Sequence, residues 1–256
     1  MAADFALMSV SPSEAGTWPK QRQPLTDRQQ AILQDWYAHW LTVAQPRYGA
    51  INRFNHKYAA RSAAKGIRTL EIGAGTGEHL VFEDLDAQQY FALELRQELA
   101  ERLQSRFPNV RTIVGDCQHR IDVPDGFFDR VLAVHVLEHL TDLPRALLEV
   151  ARVLRPGGVF SAVIPCEGGV GYQLGRHFSS KREFEKRYGV SYEWMIAYEH
   201  VNRADEIMRE VSKQFRVKDQ AYYPLGVPSV HMNLVVGLTL QPIELTRAAG
   251  PKITRG

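Results

Sequence analysis

From residue 67 onward the chain alternates two kinds of pattern. Short apolar and β-branched runs at 69–72, 89–93, 110–114, 127–134 and 159–164 read as strands, and helical spacing fills the segments between them. The clearest helix is the charged amphipathic stretch 96–106. Another ends at Leu154, where Arg155-Pro156-Gly157-Gly158 stops it and feeds the fifth strand. Regular strand–helix alternation predicts an α/β domain built on a parallel sheet. Residues 203–214 are helical again, and 215–223 and 232–240 close the chain as two strands joined through 224–228.

Upstream, Thr26-Asp27 caps a predicted helix whose Ile32, Leu33, Trp36, Tyr37, Trp40 and Leu41 share one apolar face. The tryptophans are expected to pack against the core. A second helix holds Ile51, Phe54, Tyr58 and Ala59. Residues 1–25, punctuated by Pro12, Gly16, Pro19 and Pro24, have no periodicity and read as a flexible arm, and 242–256 reads as an unstructured tail. One domain, 26–241, lies between them. Its parts are the N-terminal helices (26–66), a core (67–165), an insertion (166–202), and a final helix with its strand pair (203–241).

The first strand runs into Glu71-Ile72-Gly73-Ala74-Gly75-Thr76-Gly77, a glycine turn that a helix start is expected to follow. Glycines there let a ligand lie against the backbone. A dinucleotide fingerprint counted from Gly73 needs glycine at 78, where Glu78 stands, and a phosphate-binding loop needs a Gly-Lys-Ser/Thr that is missing. An acidic residue in the strand suits a ligand bearing an ammonium group and no phosphates. The stretch resembles motif I of the class I S-adenosylmethionine-dependent methyltransferases. A second block, Asp129 through His139, then Pro144, Ala146 and Arg155-Pro156-Gly157-Gly158, is similar to the same family's F-D-x-V…V-L-E-H…R-x-L-K-P-G-G pattern, with Arg155 in place of the commoner lysine.

The resemblance implies a Rossmann-like, doubly wound, seven-stranded and mostly parallel sheet with an antiparallel last strand, N-terminal cap helices and an inserted lid. It also implies S-adenosyl-L-methionine as cofactor. Glu71, Gly73, Ala74, Gly75 and Gly77 would line that cofactor. Glu94 lies where such folds set a carboxylate against ribose hydroxyls, with Leu95 beside it. Asp116 and Cys117 follow the third strand at the position the family uses for the adenine. An Asx-turn role for Asp116 stands as the alternative, and Cys117 reads as a small filler and not a nucleophile. Asn55, His56 and Tyr58 are candidates to contact the cleft from the second helix.

His135, Glu138 and His139 fall at i, i+3 and i+4 just past the fourth strand, so one helical turn can face all three into a cleft. His135 is a candidate at the cofactor, and His135, His139 and His200 are candidate general bases. A divalent metal on His135, Glu138 and His139 is an alternative; the preferred reading has the Glu-His pair cap the turn and back the cofactor, with no metal assigned. The insertion mixes Arg176, His177, Phe178, Lys181 and Tyr192 with Glu183, Glu185, Glu193 and Glu199. It is expected to cover a substrate, and its acids argue against a nucleic-acid groove.

Composition narrows the picture further. At 256 residues, 45% hydrophobic and 23% charged, the profile is that of an ordinary globular chain, and a net charge of +2 demands neither nucleic acid nor an anionic membrane. Two cysteines fit a reducing compartment, and no run approaches the roughly 20 apolar residues of a membrane span. The expected protein is cytoplasmic. It methylates a small-molecule acceptor, at oxygen first, in sugar or natural-product biosynthesis. An RNA or protein methyltransferase, or a non-catalytic cofactor-binding member, are the alternatives. Oligomeric state is not legible.

Overall fold

The structure is a computed structural model that describes residues 17–39 and 49–243. Trp40, Leu41, residues 1–16 of the expected arm and 244–256 of the tail lie outside the described residues. Helix α1 spans Asp27–His39 and α2 spans Gly49–Ala60. Thr26 starts α1 with a reciprocal cap: its Oγ1 accepts the Gln29 N–H, and Gln29 Oε1 accepts the Thr26 N–H at 3.0 Å.

The strands β1 (Arg68–Ile72), β2 (Gln89–Glu94), β3 (Arg111–Val114), β4 (Phe128–Val134) and β5 (Leu154–Pro165) alternate with α3 (Gln97–Arg106) and α4 (Leu143–Val153). After β5 come α5 (Val170–Arg176), a π turn (His177–Lys181), α6 (Arg182–Tyr188), α7 (Glu193–Glu199) and α8 (Ala204–Gln214), then β6 (Phe215–Tyr223) and β7 (Val235–Pro242). The seven-stranded sheet has the order β3-β2-β1-β4-β5-β7-β6. β1 to β5 pair in parallel, and β7 runs antiparallel to both β5 and β6. The chain direction of winding reverses between β1 and β4. Their carboxyl ends flank the crevice where such sheets bind ligands.

Burial on both faces explains the apolar strands. One face packs Leu70, Phe128, Val131 and Phe160 under Leu143, Leu147 and Val150 of α4 and Ile207 and Val211 of α8. The other face packs Ala92, Leu132 and Val163 against Tyr58 and Ala59 of α2 and Leu103 of α3. Each fully buried large aliphatic or aromatic side chain contributes about 1.5–3 kcal/mol.

Several expectations need correction. No α-helix follows the glycine turn: residues 80–82 make a single 3₁₀ turn, Leu80–Phe82. The local reason is that Glu83, held by His79, turns inward to the buried Arg130 of β4, so this segment closes back on the sheet instead of projecting as a helix. Residues 17–25 are not a loose arm. The Lys20 backbone donates to Thr141 O at 2.7 Å, its ammonium meets Glu206 at 2.9 Å, and Arg22 donates to His139 O at 2.8 Å. Strand β5 starts at Leu154, so Pro156-Gly157-Gly158 lies inside it, across from an irregularity between Phe128 and Arg130. Strand β7 carries through Pro242.

The 166–202 segment is helical, and it forms a small core with α1 instead of joining the sheet. Trp36, Phe184, Tyr192, Met195 and Ile196 make that cluster, with the Trp36 and Phe184 rings edge to face at 5.2 Å. Trp36 thus anchors the 166–202 segment and is not a residue of the central core. Among the described residues no helix is long and apolar enough to cross a membrane.

Candidate functional site

The glycine turn takes three left-handed residues, Gly73 (φ 67°), Gly75 (φ 57°) and Gly77 (φ 89°), where a Cβ would be strained. Their neighbours differ from the expected open ligand space at two of the three. A Cβ on Gly73 would lie 2.6 Å from Val136 Cγ2, and one on Gly77 would lie 2.5 Å from Phe107 Cε2. Gly73 therefore admits the turn after β4, and Gly77 admits α3's end. Only the space at Gly75 faces a flexible group, Glu78 Oε2 at 3.1 Å.

Glu94 joins this turn to the end of β2. Its Oε2 accepts the Gly75 N–H at 3.0 Å and its Oε1 accepts the Arg96 N–H at 3.1 Å. A carboxylate offers about four lone-pair sites, so two remain for further donors. Leu95 next to it is 65% exposed at the rim, and Ala74 is buried under the turn. Glu71 sits lower, only 3% exposed, and accepts the Tyr90 hydroxyl at 2.9 Å. Burial pushes its carboxyl up to about 7 against the pull of nearby His79 and the Tyr90 bond.

After β3, Asp116 Oδ1 accepts the Gln118 N–H at 2.8 Å, which is the Asx turn named as its alternative, and Gln118 Nε2 also reaches both carboxylate oxygens at 3.1 Å. Cys117 is buried in the main core, and burial pushes its thiol up to about 12, as befits a filler.

The turn after β4 collects the ionisable groups. His135 has φ 54°, a left-handed value for a residue with a side chain, and its N–H is fixed by Val163 O at 2.9 Å. Asn55 Nδ2 lies 2.8 Å from His135 Nε2, and His135 Nδ1 lies 3.1 Å from Glu138 Oε1. With the Asn55 amide as donor, Nε2 accepts and the Nδ1–H points to Glu138. Both ring nitrogens of His135 are therefore engaged. Glu138 is 1% exposed. Burial would raise its carboxyl, but the His135 hydrogen bond and the neighbouring His139 and His200 hold it down to about 2.

His139 and His200 meet edge to face, ring centroids 4.9 Å apart. His139 Nδ1 is 2.8 Å from Glu199 O, and His200 Nδ1 pairs with Glu167 Oε2. Burial lowers the His139 pKa. For His200 burial acts the same way, but the Glu167 bond and the nearby acids outweigh it and raise its pKa. Asn202 clamps the arrangement, donating from Nδ2 to Leu137 O at 2.8 Å and Leu140 O at 2.7 Å, while its N–H reaches Glu138 O at 3.1 Å.

The structure thus brings His135, Glu138, His139 and His200 into one cluster at the sheet's carboxyl edge, against the Gly73 turn through Val136. Of the second-helix candidates, Asn55 reaches this cluster, His56 stacks on Phe82, and Tyr58 is buried with its hydroxyl on Asp219 O and Thr239. The three groups with atoms mutually close enough to share a cation, within 4.8 Å, are Glu138, His139 and His200, with His200 in the place expected for His135. Sequence reasoning missed Glu167, Asn202 and Arg130 as structural partners. Glu167 and Asn202 stand beside residues already singled out, and Arg130 is a lone cation in an apolar strand.

Known proteins supply the remaining comparison. A family model described as a methyltransferase domain matches residues 70–162. A sterol 24-C-methyltransferase of Aspergillus fumigatus is 32% identical over 133 residues, 48% of this chain and 35% of that protein. A human thiol S-methyltransferase is 35% identical over 101 residues, 37% of this chain and 41% of that protein. The matches thus span well under half the length of these relatives. The solved structure of a TehB-like methyltransferase from Corynebacterium glutamicum has the same fold, with a TM-score of 0.53 at 16% identity over 84% of this chain and 100% of that one. With that match, its sheet order and the glycine turn that Glu94 closes, residues 70–162 form a methyltransferase domain of the class I S-adenosylmethionine-dependent type.

Proposed function

We propose that the protein moves the methyl group of S-adenosyl-L-methionine to a hydroxyl oxygen of a small-molecule acceptor. The observation that carries this reading is the pair of imidazoles at the cofactor edge, His139 and His200, whose Nδ1 atoms are both committed to acceptors and whose Nε2 atoms are left to receive a proton. The turn holding Gly73, Gly75 and Glu94 fits the cofactor, because Glu94 keeps unused lone pairs beside a backbone that bends through left-handed glycines. The bound cofactor supplies an activated methyl on a sulfonium.

The chain's own work is alignment and proton handling. Glu94 and the Gly75 backbone position the donor. With the cofactor bound, its S–C bond would break as the O–C bond formed, and His139 and His200 would take the acceptor's hydroxyl proton at their shared edge. A protic acceptor uses that edge, whereas a sterol-type carbon acceptor needs other groups. The lid supports a small substrate over a nucleic acid, because two of its cations are spent internally, Arg176 on Glu167 and Glu193 and Lys181 on Glu193 at 2.6 Å, and Arg187 is taken by Asp35 of α1. A cytoplasmic setting accords with this reading.

The test is methyl-labelled cofactor incubated with purified protein and source-cell extract, then split into small and macromolecular fractions. Label in the small fraction, released as a methyl ether, is expected. Label confined to RNA or protein would overturn the acceptor class, and cofactor binding with no label anywhere would make this a non-catalytic member.

A further inference from the structure

Resting on that reading of the site, we infer that Glu138, His139 and His200 together bind a divalent first-row transition cation of the zinc class, which takes the acceptor's oxygen as its next ligand.

Three observations carry this. First, one ligand atom from each of the three side chains lies within 4.8 Å of the other two. Ligands around one tetrahedral zinc-sized ion sit roughly 3.4 Å apart, so the side chains close by about 1.5 Å at most. Second, both imidazoles are prepared in the manner of metal ligands. His139 Nδ1 is held by the carbonyl of Glu199 and His200 Nδ1 by the carboxylate of Glu167, which fixes the tautomers and leaves each Nε2 with its lone pair; His139 Nε2 lies 4.0 Å from Glu138 Oε1. Third, Glu138 has a buried oxygen without a partner. The side chain is 1% exposed; Oε1, 4.0 Å from His139 Nε2, meets His135 Nδ1, while Oε2 of the same carboxylate has neither a hydrogen-bond donor nor solvent. A desolvated carboxylate oxygen costs several kcal/mol unless a cation or donor meets it.

The donor set selects the ion. Two imidazole nitrogens and one carboxylate suit zinc, cobalt or ferrous iron, while magnesium and calcium prefer all-oxygen shells. Three protein ligands leave at least one coordination position open, the pattern of catalytic and not structural sites. The rigidity is present as well: Asn202 ties the Glu138–Leu140 turn to the segment carrying His200. A cation there lowers the pKa of a bound hydroxyl, so the acceptor loses its proton to solvent and attacks as the alkoxide while the S–C bond breaks. With the ion bound the two histidines serve as ligands and no longer take the proton themselves; their proton-accepting role described above belongs to the ion-free site.

Cobalt(II) reports on such a site directly. Full-length protein is stripped with a chelator, its fold checked by circular dichroism, and titrated with Co²⁺ while visible absorption is followed; Zn²⁺ is titrated separately by calorimetry. One equivalent is expected to bind, with ligand-field bands that disappear in His139→Ala and His200→Ala. Glu167→Gln, which changes the partner of the outer nitrogen of His200 and also weakens the pairing of Glu167 with Arg176, is expected to weaken binding roughly 10- to 100-fold, and Arg176→Gln, which leaves the carboxylate on His200, much less. Folded wild-type protein that binds neither ion at about millimolar concentration, or affinity unchanged in both histidine variants, overturns the site. Methyl transfer at full rate by the stripped protein overturns the cation's role in activation and leaves the methyltransferase reading standing.

Discussion

Arg130 and Glu83 form a two-pronged ion pair inside the protein, Nη1 to Oε2 at 2.9 Å and Nη2 to Oε1 at 2.8 Å, with side chains 1% and 0% exposed. Two further guanidinium donors are also used: Nε reaches Ser62 Oγ at 2.8 Å, and Nη2 reaches Ala59 O at 2.7 Å. One side chain on β4 thereby ties the end of α2 to the 3₁₀ turn that stands where a helix was expected. Removing one partner strands a buried charge, so Arg130→Met is expected to cost about 3–5 kcal/mol in urea unfolding. Arg130→Met with Glu83→Leu should recover much of that loss. A double variant no more stable than the single one would mean the pair is not a unit.

The same network sets a pH signature. Burial would raise the Glu83 carboxyl, but His79 and Arg130 hold it down to about 2, below its ordinary 4.5. That stabilisation is present above pH 4.5 and is lost as pH falls through 2. Glu71 has the opposite sign. Its carboxyl is pushed by burial from 4.5 to about 7, so its contribution is complete below 4.5 and fades as pH rises through 7. Unfolding free energies of wild type and Glu71→Gln from urea titrations are expected to diverge between those limits by about 3 kcal/mol, the variant gaining on the wild type as pH increases. A flat difference would mean that Glu71 ionises freely.

The strands and the glycine turn were legible because they rest on local physics. Apolar runs at strand length mark doubly buried strands, and Gly73, Gly75 and Gly77 mark a backbone that needs positive φ. The absent helix after the turn was not legible, because its cause is Arg130, which draws Glu83 inward from 47 positions away in sequence. Local pattern likewise did not indicate that Trp36 would anchor the 166–202 segment, or that Lys20 would dock on Glu206. In the site, Glu138 and His139 stood out by their spacing. The fact that His200 completes their cluster in place of His135 depends on Glu167 and Asn202 holding a distant loop against them.

Gly77 tests whether its role is packing or cofactor approach. Alanine there is strained by φ 89° and places Cβ 2.5 Å from the Phe107 ring. Gly77→Ala should lower stability by about 1–3 kcal/mol. Adding Phe107→Leu should return only the part due to the clash, because the backbone strain remains. Thermal unfolding of the two variants separates these terms, and full recovery in the double variant would show that φ imposes no cost.

Glu94 offers the sharpest check on the cofactor site. Its carboxylate already accepts the Gly75 and Arg96 N–H groups, so it shapes the turn as well as facing the place where ribose hydroxyls are expected. Hydrogen bonds to a charged acceptor are worth about 1.5–3 kcal/mol each, and every 1.4 kcal/mol is tenfold in affinity. Glu94→Ala should therefore weaken S-adenosylhomocysteine binding at least about tenfold in calorimetry, with circular dichroism unchanged. Glu94→Gln retains one carbonyl acceptor without the charge and should fall between the two. If Glu94→Gln binds as poorly as Glu94→Ala, the charge carries the interaction. If neither variant loses affinity, the ribose lies elsewhere and Glu94 serves only to hold the glycine turn.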